Sequence, residues 1–421
     1  MIILLLILFS IYCRIGLCAD VTSTISIVYF YYNELNRCLP IYMNDTLRQA
    51  YLTNNDIDII LISNIYQCND ANDNKNYWLW KIPKIKVIDT NTIISNTTQY
   101  WLNISSSLFF KTTSQHNNND KYYPQNPLWT TSTYRFFYIY DFMIKYNYTT
   151  IIHCESDTLL YGNLNMIKKQ LLSIPKLAAT PLSWKNNMKL FTTASMFIIN
   201  DIHSLRKLLD FFIRLSESHQ LVDYDKRMYF LNNHTDSYWF DYLKWLRKLT
   251  CCVKSSKYLP DKNGLGLKPF AINEMSMLTY FGIKYHQDLH YLPILPKRLG
   301  QIPNYRYELK SFEAGTNGLG FSGLFDPGTY GMVIAGSPHK KRGFVDDSHI
   351  ASSLIVRGTC RATFQCIKAT DSLLLNWNYS ENVLVPIVSC QNDDYQKTTL
   401  LYTMHIHSKA TDLFTSKQCK N

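Results

Sequence analysis

The sequence predicts an α/β fold with a mostly parallel sheet. Three observations predict it. Ile57 to Ile62 is almost continuously apolar, as expected of a strand buried on both faces of a parallel sheet. Strand, helix and strand signals follow one another over the opening ~40 residues after the leader, the spacing of a βαβ unit. Further along, the apolar run Thr149 to Cys154 leads straight into two carboxylates, Glu155 and Asp157.

Taken in order, Ile25 to Tyr32 is rich in Ile, Val and Tyr and reads as the first strand. Asp45 to Leu52 has helical spacing, with Leu47 and Ala50 on one face and Asp45 as its N-cap. Ile57 to Ile62 is the second strand and Lys84 to Ile88 the third. Asn, Ser and Thr dominate Asp89 to Asn126, which reads as a long surface loop. Tyr134 to Tyr146 repeats apolar residues at helical period, and Thr149 to Cys154 is again a strand. Ser195 to Ile199 is another, after which Asp201 caps an amphipathic helix through Leu205, Leu208, Leu209 and Phe212. Asn273 to Phe281 reads as helical. Glycines concentrate from Gly315 to Gly343, and Thr399 to His407 is strand-like. No internal repeat is present.

Composition bounds the function. The chain has 421 residues, 46% hydrophobic and only 18% charged, with 31 Tyr and 21 Phe, so it can bury a large core. Disordered and coiled-coil classes are excluded, and 15 Gly with 14 Pro exclude collagen-like designs. A net charge of +11 points to an anionic partner. No RNA-recognition or zinc-finger spacing is present, so nucleic acid is not expected. The densest basic cluster, His339 to Arg342, reads as a solvated loop or a phosphate contact.

Ile2 to Tyr12 is apolar but too short for the ~20 residues of a bilayer span. Residues 1–19 therefore read as a signal peptide, with a short uncleaved membrane anchor as the alternative. Six sequons, at Asn44, Asn96, Asn103, Asn147, Asn233 and Asn378, and nine cysteines beyond the leader agree with a secretory route. Cys360, Cys366, Cys390 and Cys419 can form two bridges in an oxidising lumen.

Three constellations can carry chemistry. In Glu155-Ser156-Asp157 the two carboxylates are two residues apart, so on a continued strand they share a face and can converge on a hard cation such as Mn²⁺ or Mg²⁺. They stand at the C-terminal end of a strand, where open α/β sheets bind ligands; an ordinary acidic turn is the alternative. In Met404 to Lys409, strand geometry puts His405, His407 and Lys409 on one face. An imidazole there can complete a Mn²⁺ site and Lys409 can meet a diphosphate, or the histidines are simply half-exposed. In Gly323 to Gly331, Asp326 is either a desolvated carboxylate facing a pocket or the first residue of a Pro-Gly turn.

Together these residues resemble nucleotide-sugar-dependent glycosyltransferases of the GT-A fold. The opening strand with Leu39-Pro40-Ile41-Tyr42 and Ile57 to Ile60 is similar to the family's first βαβ unit. Tyr134-Arg135-Phe136-Phe137 is similar to its Arg-bearing helix, and Glu155-Ser156-Asp157 to its Asp-x-Asp motif. The block from Phe325-Asp326 to Gly331 and the run Leu401 to Lys409 are similar to one subgroup. Two departures stand out: Glu155 replaces the first Asp, and Met332 follows Gly331 where a polar residue is expected.

The resemblance implies a single large GT-A-like catalytic domain over residues 20–421. Its nucleotide-sugar and metal half is 20–200 and its acceptor-side half is 201–421. It implies Mn²⁺ or Mg²⁺ held by Asp157, by Glu155 directly or through water, and by His405 or His407. Arg135 and Lys409 would face the diphosphate of a nucleoside-diphosphate sugar. Asp326 would be the base for the acceptor hydroxyl or would position the sugar. The acceptor would be a glycan, glycoprotein or glycolipid, met in the secretory lumen or outside the cell. A non-catalytic carbohydrate-binding protein and a secreted metal-dependent hydrolase are the competing classes.

Overall fold

A computed structural model describes residues 25–33, 38–64, 82, 84–110, 127–184, 189–221, 241–242, 245, 274–294, 319–328, 331, 373–380, 383–390 and 399–406. The expected architecture is present: a mixed α/β structure whose seven-stranded, mostly parallel sheet is flanked by helices.

The first strand, β1 (Ile25–Tyr31), is followed by α1 (Tyr42–Thr53), β2 (Asp58–Ser63) and β3 (Ile85–Asp89). Strand β4 (Thr150–Cys154) lies on the other side of β1, and all three contacts among β1, β2 and β4 with β3 added to the edge are parallel. Alternate side chains of β1 feed two different cores. Val28 and Phe30 face one, Ile27 and Tyr29 the other. The same is true of β2, where Ile59, Ile60, Leu61 and Ile62 are all fully buried. Both faces of these strands are covered, which is why their sequences read as continuous apolar runs. Each such side chain contributes roughly 1.5–3 kcal/mol of burial.

Helix α1 begins three residues before the expected Asp45 cap. Its N-cap is Ile41, with no side-chain cap, so Asp45 falls within the first turn. The larger difference lies in the polar stretch after β3. Read from sequence as a loop, it holds α2 (Thr90–Ile93) and α3 (Asn96–Phe110). Asp89 accepts the Asn91 N–H to cap α2. Ser95 accepts the Thr98 N–H, and Asp141 accepts the Ser95 N–H at 2.9 Å and the Thr98 hydroxyl at 2.6 Å. Trp101 and Ile104 then anchor α3, with Trp101 stacked on Phe137 at 4.8 Å. A few large apolar anchors outweigh the polar composition of the rest of the helix.

Helix α4 (Pro127–Tyr146) enters β4, and β5 (Thr158–Leu160) follows it closely. After α5 (Lys168–Ser173) come β6 (Leu177–Trp184) and β7 (Lys189–Ile199), an antiparallel pair. Strand β7 is antiparallel to β4 and continues the sheet. Helix α6 (Ile202–Leu221) is capped by Asp201 as expected, its carboxylate accepting the His203 and Ser204 N–H groups. Helix α7 (Glu274–Lys284) and β8 (Leu289–Tyr291) complete the main sheet, in the order β3-β2-β1-β4-β7-β6-β8.

A second sheet closes over the end of β4. It contains β9 (Leu324–Phe325), β10 (Leu373–Ser380), β11 (Val383–Cys390) and β12 (Thr399–His405), with β5 at its edge. Strand β12 runs antiparallel to β5, pairing His405 with Thr158. This register brings the late strand beside the acidic run after β4. No helix among the described residues is long and apolar enough to cross a membrane.

Candidate metal centre

Strand β4 is buried along its whole length and ends at Cys154. The chain then turns: the Thr158 N–H donates to the Glu155 carbonyl at 2.9 Å. Glu155 and Asp157 therefore stand on a tight turn and not on a continued strand. They still converge, because β12 fixes the far side of the turn. The Ile406 N–H donates to the Asp157 carbonyl at 2.9 Å.

His405 meets both carboxylates. Its Nε2 lies 3.0 Å from Asp157 Oδ1 and 3.2 Å from Glu155 Oε2. One ligand atom from each of the three residues falls within 4.8 Å of the others. Two carboxylate oxygens and one imidazole nitrogen form a donor set that suits Mn²⁺ or Mg²⁺ and leaves positions for further oxygen ligands. His405 is so placed; His407 and Lys409 lie outside the described residues. So do Met332 and the basic cluster from His339 to Arg342.

Arg135, on α4, shares Glu155 with His405 and adds a second carboxylate, Glu274. Its Nη1 donates to Glu155 Oε1 at 2.5 Å, and its Nη2 donates to Glu274 Oε1. The resemblance implies that Arg135 faces a diphosphate; in the structure both its prongs are occupied by glutamates. Burial pushes the Glu155 carboxyl up, but Arg135 and then His405 more than offset this and hold it at about 2. Glu274 is more deeply enclosed, and burial pushes its carboxyl up despite the same arginine. One guanidinium serves two acids, and His405 ranks next after it for Glu155 but comes last among the influences on Glu274. Glu155 and Asp157 alone outnumber the single permanent cation beside them, a balance that suits an added dication. His153, two residues before Glu155, donates from Nδ1 to the Val28 carbonyl at 3.0 Å. Burial, and then the Arg135 charge, lower its pKa to about 3.

Asp326 is engaged by main chain. Its carboxylate is fully buried and accepts three backbone N–H groups, from Gly328 at 2.8 Å, Gly331 at 2.9 Å and His405 at 3.0 Å. A carboxylate held this way is a brace between the glycine loop and the ligand strand, and its bond to Gly328 is the one expected of the first residue of a Pro-Gly turn. The glycines serve the same packing. A Cβ on Gly331 would sit 1.8 Å from the His405 carbonyl oxygen, and one on Gly323 would sit 2.4 Å from the Tyr402 ring. The close approach that Gly323 and Gly331 permit is to β12.

Sequence reasoning missed Glu274 entirely. It opens an otherwise apolar helix, where an acid ordinarily signals only a favourable helix start. Ser156 also gains a neighbour, the Tyr42 hydroxyl at 3.4 Å.

No family model matches the chain, and no curated protein matches it. Among solved structures, mouse xyloside xylosyltransferase 1 in its apo form is 10% identical, with a TM-score of 0.36, over 65% of this chain and 87% of that one. An active-site mutant of LgtC is 11% identical, with a TM-score of 0.31, over 70% of this chain and 83% of its own. The bifunctional glycosyltransferase WbbM, also in its apo form, is 10% identical, with a TM-score of 0.28, over 47% of this chain and 35% of its own.

Proposed function

We propose that the chain is a metal-dependent glycosyltransferase that uses a nucleoside-diphosphate sugar. The observation that carries the reading is the convergence of Glu155, Asp157 and His405 from two distant parts of the sequence on one point, with ligand atoms within 4.8 Å. The order of motifs in the sequence supports the same reading. Asp157, Glu155 and His405 would hold Mn²⁺ or Mg²⁺. When bound, such an ion stabilises the negative charge that grows on a departing diphosphate.

The chain's own residues supply the rest. Arg135 keeps Glu155 ionised and fixed. Asp326 sets the height of β12 and with it the His405 ring. Lys409, four residues past His405, is retained as the phosphate contact. The acceptor is proposed to be a glycan, glycoprotein or glycolipid in the secretory lumen, reached through the 1–19 leader.

The test is thermal unfolding of the full chain with Mn²⁺ and a panel of nucleoside diphosphates. A ligand at ~100 times its dissociation constant adds about 2.7 kcal/mol to the native state. A Mn²⁺-dependent shift with one nucleotide, lost in Asp157→Ala, supports the transferase. Stabilisation by Mn²⁺ alone, with no nucleotide effect, points to the metal-dependent hydrolase class. No metal effect of any kind points to the non-catalytic class.

A further inference from the structure

We propose that Glu274 is a positioning residue for the metal centre and acts on Glu155 through Arg135. The inference rests on the metal-site reading above and deepens it. Arg135 and Glu274 are 5% and 3% exposed. The guanidinium is held at its two ends, by Glu155 and by Glu274, while its Nε has no hydrogen-bond partner. Its orientation therefore depends on the two glutamates.

A guanidinium facing one carboxylate tends to bind it through two parallel N–H bonds. Alone with Glu155, Arg135 would take both Oε1 and Oε2. Yet Oε2 is the oxygen turned towards His405 Nε2, at 3.2 Å. Glu274 occupies one prong, so Arg135 meets Glu155 through Oε1 only and leaves Oε2 to the centre. In its ionised form Glu274 acts in the same direction by charge: an Arg135–Glu155 pair alone is neutral, and the second carboxylate makes the trio negative behind the ligand. A buried carboxylate is costly unless paired, and here the pairing keeps a ligand oxygen available. Helix α7 packs against β7, which adjoins β4, so Glu274 reaches the centre from a third segment of the chain.

Calorimetric titration of the full chain with Mn²⁺ alone tests this. Glu274→Gln is near-isosteric, but its neutral amide holds Nη2 far less firmly than a carboxylate, so Arg135 is free to turn its fork onto Glu155. The substitution is expected to weaken Mn²⁺ binding about tenfold, within the ~10–100-fold typical of outer partners of metal ligands. In an Arg135→Met background, Glu274→Gln is expected to change affinity less than about twofold, because the connecting group is gone. If Arg135→Met does not fold, Arg135→Lys serves, since a single ammonium has no fork for Glu274 to divide. A folded Glu274→Gln protein that binds Mn²⁺ as the unaltered chain does overturns the proposal. So does a tenfold loss that persists undiminished without the arginine. If the unaltered chain binds no Mn²⁺, or Asp157→Ala binds it equally well, the metal site itself fails and the proposal falls with it.

Discussion

The Asp326 carboxylate accepts the backbone N–H of His405 at 3.0 Å. The group that the family resemblance makes a base or a sugar-positioning carboxylate thus holds the main chain of the residue that completes the candidate centre. The same oxygen, Oδ2, also accepts the Gly331 N–H at 2.9 Å. Replacing Asp326 by Asn removes charge and points an amide donor at N–H groups. We expect a loss of about 1–3 kcal/mol in urea unfolding, the cost of unsatisfied buried groups, together with weaker Mn²⁺ binding. Unaltered stability would show that the brace is dispensable.

Asp157→Ala removes a ligand atom outright. Calorimetry with Mn²⁺ should show a loss beyond the ~10–100-fold that an outer partner costs, while circular dichroism remains that of the folded chain. Retained affinity would sink the site.

Gly331→Ala tests packing at the same place. The new methyl would meet the His405 carbonyl oxygen at 1.8 Å, and backbone cannot yield as a flexible side chain can. The expected cost is roughly 1–3 kcal/mol, as for other overpacked sites, with weakened Mn²⁺ affinity because β12 must shift. An equally stable variant with full affinity would mean that the loop and β12 can separate freely.

His153 gives a pH signature. Its pKa falls from an ordinary 6.5 to about 3, chiefly through burial and then through Arg135. The unfolded chain binds a proton that the folded chain refuses throughout that window. Its contribution is therefore present in full above about pH 6.5 and is lost as pH falls towards 3. The slope approaches ~1.4 kcal/mol per pH unit well inside the window. Subtracting the urea-derived stability profile of His153→Gln from that of the unaltered chain isolates this contribution from the carboxylates. A flat difference between pH 6 and 4.5 would refute it.

Much of the main sheet was legible because both its faces are buried, so β1, β2 and β4 announce themselves as apolar runs. Asp201 was legible as a cap because its chemistry is local. Helix α3 was not, since its stability depends on Trp101 reaching Phe137 and on Asp141, 46 residues past Ser95, accepting an N–H at its start. Glu155, Asp157 and His405 could be nominated by residue type. Their meeting depends on the β5–β12 register, which no local pattern encodes. Asp326 shows the reverse case: a carboxylate in a glycine-rich run looks the same in sequence whether it faces a substrate or a main chain. Glu274 and Arg135 needed the packing of α7 before either partner could be assigned.

The register of β12 against β5 also sets a time order. Glu155 and Asp157 leave the ribosome long before His405, and until β12 arrives their carboxylates have no third ligand and β5 has an open edge. A nascent chain halted anywhere before residue 399 lacks the strand that bears His405. The centre is thus completed only once β12 has been made, and products of synthesis that stop short of it are left without it.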